Sequence, residues 1–348
     1  VDVNAGGLGA MASHLFSPFS MRGLTLSNRV TVSPMCQYGA EDGSANDWHL
    51  MHLGNLAISG FGLVIAEATG VEARGRISPG CLGLYSDANE QALARVVKFC
   101  KRQGNTALGI QLAHAGRKAS THVPWKGRGP VGVDDGGWPI VAPSAVALDD
   151  NHAVPGALDE AGLAEVVQAF VQAARRADCL GFDLIEVHGA HGYLLHEFLS
   201  PISNHRDDAY GGERENRMRF PLEVFAAVRE AWPDDKPLGI RISASDHIEG
   251  GWSLDDSVTF AGALKGLGCD YIDVSSAGVA PDRQKITVGP GYQVPFSARI
   301  RNEAQIPTMA VGMITRPHQA EAIIAEGQAD LVALARGALF DPRWVWHA

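Results

Sequence analysis

The 348-residue chain is short of the features that would announce most kinds of partner. No apolar stretch approaches the roughly 18 residues of a membrane span, so a bilayer is not an expected partner. There is no long basic run, and the formal charge of −10 with a pI near 5.7 argues against nucleic acid or an anionic surface. Cysteine is sparse: the residues at 36, 81, 100, 179 and 269 are odd in number, widely spaced and without a CxxC pair. That usage fits a reducing cytoplasm better than a disulfide framework. The phosphate-binding GxGxxG and Walker patterns are missing, and so is the zinc motif HExxH. The opening VDVNAGGLGAMAS has neither a basic nor an apolar signal region, so it is not read as a secretory signal. Residues 1–13 are read as a disordered or vector-derived leader, and residues 14–348 as the folded unit.

What is present is a regular alternation. Short apolar runs rich in Val, Ile and Leu occur at 29–33, 63–66, 107–112, 183–187, 238–242, 271–275, 308–311 and 331–334. Such runs suit strands buried on both faces. Between them lie helical periods, at 87–103, 160–180, 213–232, 254–267 and 317–326. Asp255 and Asp256 near one helix start, with Gly268 beyond its end, fit the usual terminus preferences. Eight strands alternating with helices predict a single-domain (β/α)8 TIM barrel rather than an open sheet. The long irregular stretch 113–159 after the third strand is expected to be a lid or rim insertion.

Working residues of such a barrel gather where strands end and βα loops begin. The richest such place is His188-Gly189-Ala190-His191-Gly192-Tyr193, where two imidazoles and a phenol follow the fourth run. The glycines at 189 and 192 fit a tight turn, because glycine tolerates positive φ. Ser33-Pro34-Met35-Cys36-Gln37-Tyr38 follows the first run, and Glu67-Ala68-Thr69 the second. Gln111 and His114 belong to the third, and Arg241 to the fifth, where it could pair with Asp183 or Glu186. Gly312 after the seventh run and Ala335-Arg336-Gly337 after the eighth suit a phosphate held on backbone N–H groups beside an arginine. A phosphorylated bound cofactor is the economical reading. A metal at His188 and His191 would need Glu67 or Asp246 as a further ligand, and neither lies in a metal motif.

The stretches SPMCQY (33–38), EAT (67–69), GIQLAHAGRK (109–118), HGAHGYLLHEFLSPISNHRDDAYGG (188–212), ENRMRFPLEVF (215–225), RIS (241–243), PGYQVPF (290–296) and AVGMI (310–314) occur in this order. In them the chain resembles the Old Yellow Enzyme family of FMN-dependent ene-reductases, in its thermophilic-like, xenobiotic-reductase-like bacterial subgroup. The resemblance implies that Ser33, Pro34, Met35 and Cys36 line FMN, with Cys36 tuning its potential. It implies that Ala68 and Gln111 meet the pyrimidine side of the ring, and Arg241 the N1 and C2=O edge. Gly312, Ala335, Arg336 and Gly337 would hold the phosphate. His188 and His191 would bind the substrate oxygen, Tyr38 would close over the substrate, and Tyr193 would donate a proton.

The reaction so implied is ping-pong: NADPH or NADH reduces FMN, and an electron-poor alkene is then reduced at its C=C bond. That alkene would be an α,β-unsaturated carbonyl, a nitroalkene or a maleimide. A dienoyl-CoA-reductase-like FMN barrel is the alternative, although the scattered cysteines form no iron–sulfur pattern. A homo-oligomer, dimer or tetramer, is expected. Family members usually run on past the DPRW stretch (341–344) into a tail that can enter a neighbour's site. The sequence here ends at Ala348, so a subunit-shared site is left open.

Overall fold

The computed structural model describes residues 13–127, 129–281 and 286–348. Of the expected leader, residues 1–12 lie outside this range, and Ser13 hydrogen-bonds Glu321. A hairpin of β1 (Phe19–Met21) and β2 (Leu24–Leu26) comes first. Met21 and Leu26 pack beneath the barrel against Leu63, Ile65, Leu184, Tyr271, Met309 and Leu331, closing its N-terminal end with an apolar layer. Arg22 at the hairpin tip forks onto Asp270 and the Gly268 carbonyl, which fixes this plug to the barrel floor.

The barrel strands are β3 (Val30–Val32), β4 (Leu63–Gly70), β5 (Ala107–Ala113), then, past a two-residue pair β6 (Val141–Ala142) and β7 (Gly156–Ala157), β8 (Leu184–Gly189), β9 (Leu238–Ser243), β10 (Tyr271–Ser275), β11 (Thr308–Ala310) and β12 (Leu331–Leu334). All eight are parallel, and Val332 pairing with Val30 closes the ring. The eight-strand barrel is therefore the one expected, with the insertion between β5 and the next helix. The second strand runs four residues beyond its apolar core. A bulge at Glu67 lets Ala68, Thr69 and Gly70 continue the ladder against Gln111, Leu112 and Ala113.

The helices are α1 (Asp47–Ala57), α2 (Asp87–Gln103), α3 (Glu160–Leu180), α4 (Leu194–Leu199), α5 (Arg214–Ala231), α6 (Leu254–Gly266), α7 (Val294–Ala304), α8 (Pro317–Ala325), α9 (Arg336–Phe340) and α10 (Trp344–His347). Helix α2 shows the local logic. Ser86 caps it by accepting from the Asn89 amide at 3.2 Å, and Leu93, Val96, Val97 and Cys100 form its buried stripe. Each fully buried Leu or Val there contributes roughly 1.5–3 kcal/mol. Helix α6 starts at Ser253, whose hydroxyl and Asp256 cap each other's amides, so Ser253 rather than Asp255 sets its beginning. Helices α1 and α7 escape the sequence reading. His49, His52 and Gly54 interrupt the apolar period of α1, and α7 is short with Pro295 in its first turn.

No described helix is long and apolar enough to cross a membrane.

Candidate active site

In a parallel ladder, residues in register point the same way, and a strand alternates faces every second residue. His188, Arg241 and Asp273 are in register across β8, β9 and β10, and Gln111 is in register with Glu186. These five side chains therefore share the lumen face, above the apolar layer that contains Tyr271. Gln111 Nε2 donates to Glu186 Oε1 at 2.8 Å, and the Tyr271 hydroxyl donates to Glu186 Oε2 at 3.1 Å. Arg241 faces Asp273 at 3.1 Å in a Coulombic contact whose N–H is not aligned for a hydrogen bond. Arg241 thus pairs with neither Asp183 nor Glu186. Asp183 lies outside the barrel, where it accepts from Lys101 and the Leu108 amide.

At the end of β8, His188 stands edge-on to His191 and to Tyr193, with ring centroids 5.2 and 4.9 Å away. The three sequence-predicted residues do converge. The turn that brings them together differs in one respect from expectation. Gly189 ends the strand, while His191 and Gly192 take the left-handed conformation at φ 60° and 70°. Only glycine suits position 192, because a Cβ there would lie 2.2 Å from the Gly278 carbonyl oxygen. The turn is braced from below. His196 Nδ1 accepts the Gly192 amide at 2.8 Å, and its Nε2 faces Asp246 Oδ1 at 2.9 Å. Asp246 also accepts from Ser200 and the Trp252 amide, so it serves the backbone of this turn.

Burial, aided by the Arg241 charge, holds both His188 and His191 well below the usual imidazole range, so each is neutral at physiological pH. His188 Nδ1 accepts the Ala190 amide at 3.2 Å, which leaves its proton on Nε2. His191 Nε2 shares a 2.7 Å hydrogen bond with Ser275, and its amide donates to Ser243. The Lys118 ammonium lies 5.1 Å from the Tyr193 ring centroid and donates to the His191 and Gly278 carbonyls. Tyr38 and Tyr193 face a common cavity of about 300 Å³. Lys118, Thr121, His122 and Leu148 are among its other walls. The insertion therefore forms part of the rim, as expected. Trp125 from the same segment meets Tyr38 in a T-shaped contact at 6.0 Å.

The 33–38 loop is held by the bulged Glu67, which accepts the Gln37 amide at 3.0 Å and faces His49 at 3.4 Å. Glu67 is thus a loop anchor, and Ala68 beside it is in register with Gln111. Cys36 is partly exposed. Burial, then Cys81 and Glu67, push its thiol well above the ordinary range, so it is not a thiolate nucleophile. His114 turns toward Glu72 at 2.7 Å.

A flat heterocycle carrying a phosphate fits what lines this mouth. Among the described residues, Ser33 Oγ and Arg241 Nε are buried without a hydrogen-bond partner. Gln111 spends one N–H on Glu186 and keeps its carbonyl as acceptor. On the β11–β12 side, Gly312 adopts φ 124°, and a Cβ there would press to 3.2 Å on Gln293 and Tyr292. Nothing lies within 4 Å of the Cβ position of Gly337, and the neighbouring Arg336 is exposed. Ala335 joins β12 to α9 at the same edge.

Sequence reading named Glu186 only as a possible partner of Arg241, and missed Asp273, Ser275, Lys118 and His196 as members of this constellation. The two-residue strand period offered a signal, since Glu186 is in phase with His188 and Asp273 with Ser275. Lys118 and His196 are placed by loop geometry and carry no such signal.

A profile described as the NADH:flavin oxidoreductase / NADH oxidase family matches residues 14–348. A curated NADPH dehydrogenase of Geobacillus sp. (strain WCH70) is 48% identical over 340 residues, covering 97% of this chain and 94% of the relative. The NADPH dehydrogenase of Bacillus subtilis (strain 168) is 44% identical over 334 residues, covering 95% and 93%. Among solved structures, morphinone reductase superposes with a TM-score of 0.81 at 28% identity, covering 97% of this chain and 91% of that one.

Proposed function

We propose, from the premise that the chain belongs to the NADH:flavin oxidoreductase / NADH oxidase family, that it reduces the activated C=C bond of small electron-poor alkenes at the expense of NADPH or NADH. It is an NAD(P)H:flavin oxidoreductase of the Old Yellow Enzyme type, with FMN as its cofactor. FMN, when bound, accepts hydride from the nicotinamide and hands it to the alkene. The protein's share of the chemistry is to bind, orient and supply a proton.

Ser33, Pro34, Met35, Cys36, Ala68, Gln111 and Arg241 are read as the cradle of the ring. The unpartnered Ser33 hydroxyl and Arg241 N–H support this. Gly312, Ala335, Arg336 and Gly337 are read as the phosphate end. His188 and His191 hold the substrate's carbonyl or nitro oxygen. As neutral imidazoles they donate N–H without protonating it, which polarises the alkene and leaves the oxyanion hydrogen-bonded. Tyr193 delivers the proton to the α-carbon, and the nearby Lys118 ammonium stabilises the phenolate that remains. Tyr38 packs over the substrate from the opposite wall. The 300 Å³ cavity lies at the lower end of ligand pockets, roughly 300–1,000 Å³. A small cyclic enone, nitroalkene or maleimide suits it. The exposed Met51, Ile58 and Phe99 along α1 and α2 support a homo-oligomer.

The observation that carries this reading is the convergence of two neutral histidines and a tyrosine at one barrel mouth. A phenol tests it directly. Its oxygen should dock on His188 and His191, and its ring on oxidised FMN, with a long-wavelength charge-transfer band. The double variant His188→Ala/His191→Ala should keep FMN and lose the band. Undiminished phenol affinity in that variant would refute the oxygen-binding role.

A further inference from the structure

Among the described residues, the lumen layer holds two carboxyl groups and one cation. Glu186 and Asp273 are both fully buried, and Arg241 stands between their strands. Glu186 is hydrogen-bonded by Gln111 and Tyr271. Both oxygens of Asp273 lack a hydrogen bond among the described residues, and only the Arg241 charge at 3.1 Å answers them. Among the described residues, the other groups facing the pair add no charge. His188 and His191 are neutral, and burial with the nearby Glu186 pushes the Tyr271 phenol well above its usual range. Below lies the apolar layer of Met21 and Leu26 from the hairpin with Leu63, Leu184, Met309 and Leu331 from the strands. With both carboxylates ionised, the layer would carry an uncompensated negative charge out of contact with water, which a low-dielectric site resists strongly. Burial and the neighbouring Asp273 accordingly raise Glu186 to about 8, and burial raises Asp273 as well.

We propose that Glu186 and Asp273 form a proton-binding site linked to the flavin's charge, taking up one proton when hydride arrives above Arg241 and releasing it when hydride leaves. This rests on the reading that Gln111 and Arg241 face the flavin ring. The balance is simple. Hydride brings one proton and two electrons, so it adds one negative charge to the cofactor. Above the pair's own titration range, a solvent proton then forms an O–H bond with one carboxylate of the pair and restores the local charge. When hydride passes to the alkene, the charge goes with it, and the carboxyl proton returns to solvent. Nothing else is oxidised or reduced. Below that range the pair already holds its proton, so no uptake is expected.

The test counts protons taken up when FMN-loaded protein is reduced anaerobically by stoichiometric NADPH, using a pH-indicator dye in unbuffered salt. Hydride donation by NADPH needs no further proton, so the dye reads only the additional uptake. At pH 9 the wild type should take up close to one proton per flavin more than Glu186→Gln or Asp273→Asn, and at pH 6 all three should agree. Equal uptake at pH 9, with FMN retained, overturns the proposal and leaves the flavin reading intact. A wild type that binds no FMN fails that underlying reading instead. If both variants lose FMN, the wild type decides: uptake no greater at pH 9 than at pH 6 overturns the proposal.

Discussion

Tyr193 occupies the N-cap position of α4, where its backbone belongs to the turn and its side chain contributes no cap hydrogen bond. The helix therefore does not depend on the Tyr193 hydroxyl for its cap. A positioned general acid contributes about 10²–10⁴-fold, or roughly 3–5 kcal/mol of barrier. Tyr193→Phe should therefore retain FMN and its reduction by NADPH, which involves no α-carbon proton. Reoxidation by 2-cyclohexenone should slow by about 10²-fold or more. A nitroalkene should suffer less, because its nitronate is stable enough to await a solvent proton. Stopped-flow separation of the two half-reactions checks this, and wild-type reoxidation by the enone would assign the proton to another group. At this scale the sequence revealed which side chains converge but not their state. His188, His191 and Tyr193 were legible from their spacing, whereas the neutrality of the histidines depends on burial and on Arg241, a strand away. Arg241's true partner, Asp273, lies 32 positions on and becomes its neighbour only when β9 pairs with β10.

Among the elements, all eight barrel strands were legible, with 271–275 and 331–334 coinciding with β10 and β12 and only β4 running four residues beyond its expected end. Both-face burial writes itself as unbroken apolar runs. The bulge in β4 and the helices α1 and α7 were not legible, because ladder register and tertiary contacts make them. The clamp between residues 13–15 and α8 is another such contact. Glu321 accepts from the Ser13 hydroxyl and from the His14 and Leu15 amides at 2.6–2.9 Å. Although partial burial pushes its carboxyl upward, these bonds outweigh it and hold Glu321 at about 2. The carboxyl is depressed in the fold, so its contribution is present above the unfolded value near 4.5 and is lost as pH falls through about 2. A hydrogen bond to a charged group is worth roughly 1.5–3 kcal/mol. Glu321→Gln should then raise amide exchange at Leu15 by about tenfold at neutral pH. In the wild type the same loosening should set in between pH 4.5 and 2. Hydrogen exchange resolved to residues 13–17 measures both, and unchanged protection in the variant would show that packing alone holds the segment.

The whole molecule is a barrel with an apolar floor, a charged middle layer and a hydrogen-bonding mouth. The floor and the strand order follow from hydrophobic pattern, which is why the architecture could be read from the sequence. The middle layer could not, because buried charge contradicts the pattern that locates a core, and only the closed ring brings Glu186, Arg241 and Asp273 together. Its purpose in this account is to carry a cofactor whose charge changes, beneath a mouth that grips an oxygen and supplies a proton. An anaerobic titration of the FMN-loaded protein with NADPH, followed by addition of 2-cyclohexenone, tests that most directly. The account predicts that the flavin absorbance bleaches with about one equivalent of NADPH, as expected for a single two-electron acceptor, and returns in full when the enone is added without oxygen. Bleaching that the enone fails to reverse, or a flavin that NADPH does not bleach, would contradict it.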